Sequence, residues 1–111
     1  MKLKVSLFVS LMSLSSSLFA ANNWTSPIDI SAVRALDNGN IMVQSTTVID
    51  PNCPGAGKQF YAMLNQNNVT SEGLKSLLSI SLVSFSTNTK LNILYDNASA
   101  NCYISNVEIA K

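Results

Sequence analysis

Histidine is absent from this chain of 111 residues. Its absence removes the commonest general base and the commonest metal ligand together. Charge is scarce as well, with seven basic and six acidic side chains in the whole sequence, so nothing offers a basic footprint for nucleic acid or anionic lipid. The carboxylates are scattered. Two of them, Asp29 and Glu108, would approach one another only if the first and last strands paired. No serine sits in a Gly-x-Ser-x-Gly elbow, and a serine without a base is a surface residue. Gly55-Ala56-Gly57 lacks the rest of a phosphate-loop pattern and the helix start that should follow it. These absences argue against an enzyme and against any metal or other cofactor.

What is present begins with a signal for export. Lys2 and Lys4 precede an apolar stretch over residues 5–14, and small residues end it at Ala20-Ala21, which is the order of parts in a secretory signal. The apolar core is interrupted by Ser6, Ser10 and Ser13, and it is too short to span roughly 30 Å of hydrocarbon. The alternative is an uncleaved interfacial or transmembrane helix. The expected division is a signal peptide at residues 1–20 and a single domain at residues 21–111. Leu18 stands three residues before a cut after Ala20, where a smaller residue is usual. The mature domain carries five basic side chains (Arg34, Lys58, Lys75, Lys90, Lys111) against six acidic ones, a net charge of −1. No later segment is apolar enough to span a membrane, so the expected location is secreted or periplasmic, without stable membrane insertion.

A domain of this size builds one core near the lower limit of independent stability, and a crosslink or an oligomer interface would help it. Cys53 and Cys102 are the only two cysteines, and in an oxidising compartment they allow one pairing. Closing a loop of about 50 residues is worth about 4 kcal/mol in the chain-entropy model.

Turn signals divide the rest into short elements. Residues 28–36 and 41–49 are rich in apolar and β-branched side chains and flank Asp37-Asn38-Gly39-Asn40, so they read as a hairpin in which Asn38 and Gly39 both tolerate positive φ. Residues 50–57 form a loop pinned by Cys53. Residues 58–64 read as a third strand, with Phe60, Ala62 and Leu64 on one face and Gln59, Tyr61 and Met63 on the other. Thr70 or Ser71 then caps a helix whose stripe is Leu74, Leu77, Leu78, Leu82 and Phe85. Ile80 and Val83 lie off that stripe and give the helix a second apolar face, which an isolated monomer would leave wet. A strand remains an alternative around Ser79-Ile80-Ser81-Leu82, where apolar residues alternate. Asn88 and Thr89 end the helix. Two more strands follow at residues 90–96, with Leu91, Ile93 and Tyr95 sharing a face, and at residues 102–110, with Tyr103, Val107 and Ile109 on one side. The order β-β-β-α-β-β predicts a mostly β fold with one helix, a small five-stranded antiparallel barrel of the OB type; an open α+β sheet is the alternative.

Ligand candidates are few. Sugar sites use exposed aromatic rings, which stack on the apolar face of a pyranose, and Trp24 and Tyr61 are the candidates by position. The competing reading packs Tyr61 in an interface and lays Trp24 over a barrel end. Asn23, Asn68 and Asn97 each begin an Asn-x-Ser/Thr triplet.

Asn23-Trp24-Thr25 close behind the signal, a first hairpin, and the helix-to-strand passage from Leu82 through Asn88-Thr89-Lys90 to Tyr95 together resemble one family. They are similar to the B subunits of AB5-type pentameric toxins, in the group of subtilase cytotoxin, typhoid toxin and pertussis toxin. The resemblance implies an OB-fold protomer, a homopentameric ring with helices lining its centre, cell-surface glycans as ligands and a separate exported A subunit as partner. Ile80 and Val83 would then be buried against neighbouring helices. The chain departs from that family in its short passage from Trp24 to Pro27-Ile28-Asp29, where the family carries a longer segment with a glycan-contacting serine. It also has fewer cysteines and aromatics. Fold and assembly carry over, and no glycan residue does. The alternative from another class is a periplasmic or extracellular accessory protein that acts through protein contacts without binding sugar.

Overall fold

A computed structural model describes residues 21–110. The expected export signal at residues 1–20 lies outside the described residues. Six strands and one long helix follow in the order β1 (Asn22–Trp24), β2 (Ile30–Ala35), β3 (Ile41–Ser45), β4 (Gln59–Ala62), α1 (Ser71–Thr87), β5 (Lys90–Asp96) and β6 (Ile104–Ala110). The expected order is present, with one further strand ahead of it. β1 is three residues long and polar, so it shows no alternation. Its partner makes it a strand: Asn22, Asn23 and Trp24 pair antiparallel with Asp96, Tyr95 and Leu94. The Thr25 hydroxyl then accepts the Ile93 N–H at 3.0 Å.

The strands form two three-stranded antiparallel sheets, β1-β5-β6 and β2-β3-β4. Isolated bridges join them, Ile28 to Leu91 and Tyr61 to Tyr103. The OB-like barrel is therefore not closed: single bridges, rather than continuous ladders, join its two sheets. Among the described residues, the outer edges of β2 and β6 have no strand partner.

Period-two alternation on β4 and β5 fills much of the barrel: Phe60 and Ala62, and Leu91, Ile93 and Tyr95, are buried in the phase the sequence predicts. β3 does not alternate, and Ile41, Met42 and Val43 are all buried. The Tyr95 ring meets Phe60 edge to face at 4.9 Å between centroids. β6 starts later than expected. A register shift leaves Ser105 between the pairs Leu94–Asn106 and Tyr95–Ile104, so Ile104 rather than Tyr103 enters the core. Leu64 lies past the end of β4 and is exposed.

Two turns set the ends. In the hairpin between β2 and β3, Leu36 N–H donates to Asn40 O at 2.8 Å, and only Gly39 takes a positive φ, +88°. The expected hairpin is present, and of the two residues that tolerate positive φ only Gly39 uses it, closing a three-residue loop with glycine last. In the loop after β3, Gly57 has φ +86°, and a Cβ there would stand 2.7 Å from Asp50 O. No other residue fits that position. The same loop carries Cys53, which is bonded to Cys102 with Cα atoms 5.5 Å apart, so the disulfide ties it to the segment leading into β6.

The helix is a helix, not a strand. Thr70 Oγ1 accepts the Gly73 N–H at 3.1 Å, and Asn88, left-handed at φ 55°, ends it by donating its N–H to Ser84 O. Its packed face differs from the expected stripe. Leu77, Ser81 and Ser84 are buried and Leu74 and Leu78 partly so, whereas Leu82 and Phe85 are exposed. Small side chains at 81 and 84 let the helix lie close on β2 and β6. Leu82 is displaced to the flank, and Phe85 falls in the final turn.

Candidate functional site

Trp24 and Tyr61 stand on different sheets and do not make one stacking surface. Trp24 is 49% exposed on an edge strand, opposite Leu94. Tyr61 is half-buried, and its hydroxyl donates to Gln59 Oε1 at 3.2 Å while the Gln59 amide donates to Gln44 Oε1 at 3.1 Å. Asp29, just ahead of β2, and Glu108 on β6 each find a separate partner on β5. Lys90 Nζ donates to Asp29 Oδ2 at 3.0 Å, and Asn92 Nδ2 to Glu108 Oε1 at 3.1 Å.

A concave site lies elsewhere, at the C-terminal end of α1. The start of β2, the segment after β3 and the helix terminus enclose a cleft of about 250 Å³. Phe85 and Ile30 supply its apolar wall. Asp29, Thr46, Asn88 and Thr89 supply polar groups, and Asp29 is the one charged side chain among them. The chain itself builds this convergence. Thr46 N–H donates to Asp29 O at 3.0 Å, which fastens the two strand ends together. Ser84 Oγ donates to Thr89 O at 2.7 Å where the left-handed Asn88 ends the helix. Phe85 is 43% exposed here. An aromatic ring beside a carboxylate, a carboxamide and hydroxyls matches the needs of a polyhydroxylated ring: one apolar face to stack on, and donors and acceptors around its rim. The sequence reading missed this cleft, since its residues come from three separated segments. The one local signal was an aromatic residue three positions before a left-handed Asn.

A second candidate surface is the outer face of α1. Ile80 (36%), Leu82 (45%) and Val83 (49%) are exposed, joining the expected pair Ile80 and Val83 with a leucine from the expected inward stripe. From Ser76 to Thr87 the helix has no charged residue. The helix itself packs on β2 and β6, each of which has an edge without a strand partner among the described residues.

Asp50 and the sulfurs of Cys53 and Cys102 come within 4.8 Å of one another. The sulfurs are bonded to each other and are not thiolates, so this cluster does not fit a metal. Asp50 instead accepts the Tyr95 hydroxyl at 2.8 Å. Burial, and secondarily the Asp50 carboxylate, push the Tyr95 phenol up from 10.0 to about 12. Among the described residues no helix is long and apolar enough to cross a membrane.

Known structures place the fold. The chain has the fold of a toxin B subunit. It matches human heat-labile enterotoxin in complex with a blood group A antigen analog at TM-score 0.61 and 11% identity, over 86% of this chain and 91% of that one. It matches the porcine E. coli heat-labile enterotoxin B-pentamer in complex with lacto-N-neohexaose at 0.61 and 10%, over 90% and 95%. The cholera toxin-like B-subunit from Citrobacter freundii gives 0.58 and 11%, over 86% and 90%. No protein-family model and no curated protein matches the sequence. The B-subunit likeness thus lies in backbone architecture, which is where the sequence resemblance pointed.

Proposed function

We propose that this chain is an exported, non-catalytic binding subunit that assembles into a homopentameric ring and recognises cell-surface glycans. The observation that carries the proposal is the pairing, on a toxin B-subunit fold, of an aromatic-walled polar cleft with an uncharged apolar helix face. Solved relatives of this fold are complexes with a blood group A antigen analog, lacto-N-neohexaose and lactose, and one is a B-pentamer. In the ring, Ile80, Leu82 and Val83 pack against neighbouring helices, and the open edges of β2 and β6 meet other subunits. The glycan lies in the cleft with a sugar ring against Phe85. Trp24 and Tyr61 remain secondary candidates for sugar contact. Residues 1–20 are removed on export, leaving residues 21–111 as one secreted or periplasmic domain. A separate A subunit is the natural partner for such a ring.

A glycan array probed with the exported protein tests the recognition. Binding that Phe85→Ala abolishes supports the cleft, and silence across the array contradicts glycan recognition. An assembly that forms but ignores every glycan favours the accessory-protein reading, which the apolar helix face alone would satisfy.

A further inference from the structure

Building on the cleft reading above, we propose that Asp29 makes the site selective for uncharged glycans over glycans ending in an acidic sugar. Asp29 brings the only charge among the cleft-lining side chains. Among the described residues, none of the basic side chains Arg34, Lys58, Lys75 and Lys90 lines the cleft. Lys90, which reaches Asp29 Oδ2, does so from outside the lining set. Among the described residues that contact is the only hydrogen bond to the Asp29 carboxylate. A carboxylate has about four acceptor positions, so most remain open to sugar hydroxyls, which donate well to a charged oxygen. Thr46, Asn88 and Thr89 complete the rim with neutral donors and acceptors.

An acidic sugar meets the opposite situation. Its carboxylate has no proton to give Asp29 and carries the same sign, and the neutral rim offers no compensating cation. Lys90 does not reverse this, because its ammonium is shared with Asp29 and both side chains are more than half exposed, at 52% and 58%. Such a pair adds little and is easily rearranged by a hydroxyl-rich ligand.

The test is an array of matched chains, lactose and lacto-N-neohexaose among them, each printed uncapped and capped with sialic acid. The uncapped chains are expected to bind the exported wild-type protein at least about tenfold more tightly. Asp29→Asn should weaken the uncapped chains about tenfold and bring the two sets together. Lys90→Gln leaves Asp29 uncompensated and should widen the gap. Equal or tighter binding of capped chains by the wild type, a preference that survives Asp29→Asn, or a gap that narrows in Lys90→Gln overturns the proposal while leaving glycan binding intact. Binding of neither set removes the glycan reading itself, and this selectivity with it.

Discussion

Around the Cys53–Cys102 bridge polar groups have partners, whereas along α1 the usual polarity is turned inside out. At the bridge, Asp50 accepts from Tyr95 and from the Asn52 N–H, its carbonyl accepts from the Cys53 N–H, and Gly57 fits against that carbonyl with no room for a side chain. On the helix, Ser81 and Ser84 are buried while Ile80, Leu82, Val83 and Phe85 are exposed, and among the described residues the Ser81 hydroxyl has no hydrogen-bond partner. The first region is finished within one chain. The second leaves apolar area exposed and small polar residues buried, the pattern expected of a helix whose outer face is also covered, as the proposed ring would cover it. Substitutions at the bridge should therefore cost stability, and those on the outer helix face should cost assembly.

The largest effect is expected from removing the bridge. Cys53→Ala with Cys102→Ala frees a loop whose ends are 49 residues apart in sequence, and denaturant unfolding should show a loss of about 4 kcal/mol. An unchanged midpoint would mean that this end holds without its crosslink. Tyr95→Phe should come next, at about 2 kcal/mol, since it strips a charged acceptor of its donor. It also has a pH signature. The Tyr95 pKa is raised from 10.0 to about 12 in the folded state, so its contribution is complete below about pH 10 and fades as pH climbs to about 12. Unfolding midpoints measured across that window should fall in the wild type more steeply than in Tyr95→Phe.

Much of the bridge region was legible in the sequence and much of the helix was not. One pair of cysteines has one pairing, and strict alternation at Phe60 and Ala62, or at Leu91, Ile93 and Tyr95, states which side faces in. β1 was invisible because Asn22–Trp24 has neither alternation nor β-branched residues, and its strand character comes wholly from β5. On α1 the leucine spacing suggested that the largest residues face the core, yet helix phase is settled by how closely the backbone approaches β2 and β6, and that favoured serines. The cleft was illegible for a different reason. Asp29, Thr46 and Phe85 become neighbours only once Thr46 is bonded to Asp29 O and Ser84 to Thr89 O.

Smaller effects sharpen the contrast on the helix itself. Ser81→Ala removes a buried hydroxyl that lacks a partner, so stability should hold or rise by up to about 1 kcal/mol, the reverse of what truncating a satisfied buried group does. A clear loss in calorimetry would show that Ser81 is bonded after all. Val83→Ser should change the stability of the single chain by less than about 0.5 kcal/mol, as exposed substitutions do, and yet weaken self-association. If Val83→Ser instead lowers stability as much as Tyr95→Phe does, the outer face is part of the monomer's own core and the contrast collapses.

The central claim is that the outer face of α1 is an interior surface of a ring. Light scattering on the exported protein at micromolar concentration tests it most directly. A mass five times that of the exported chain is expected for the wild type and a shift toward the single chain for Val83→Glu, whereas a wild-type protein that runs as a clean monomer contradicts the ring.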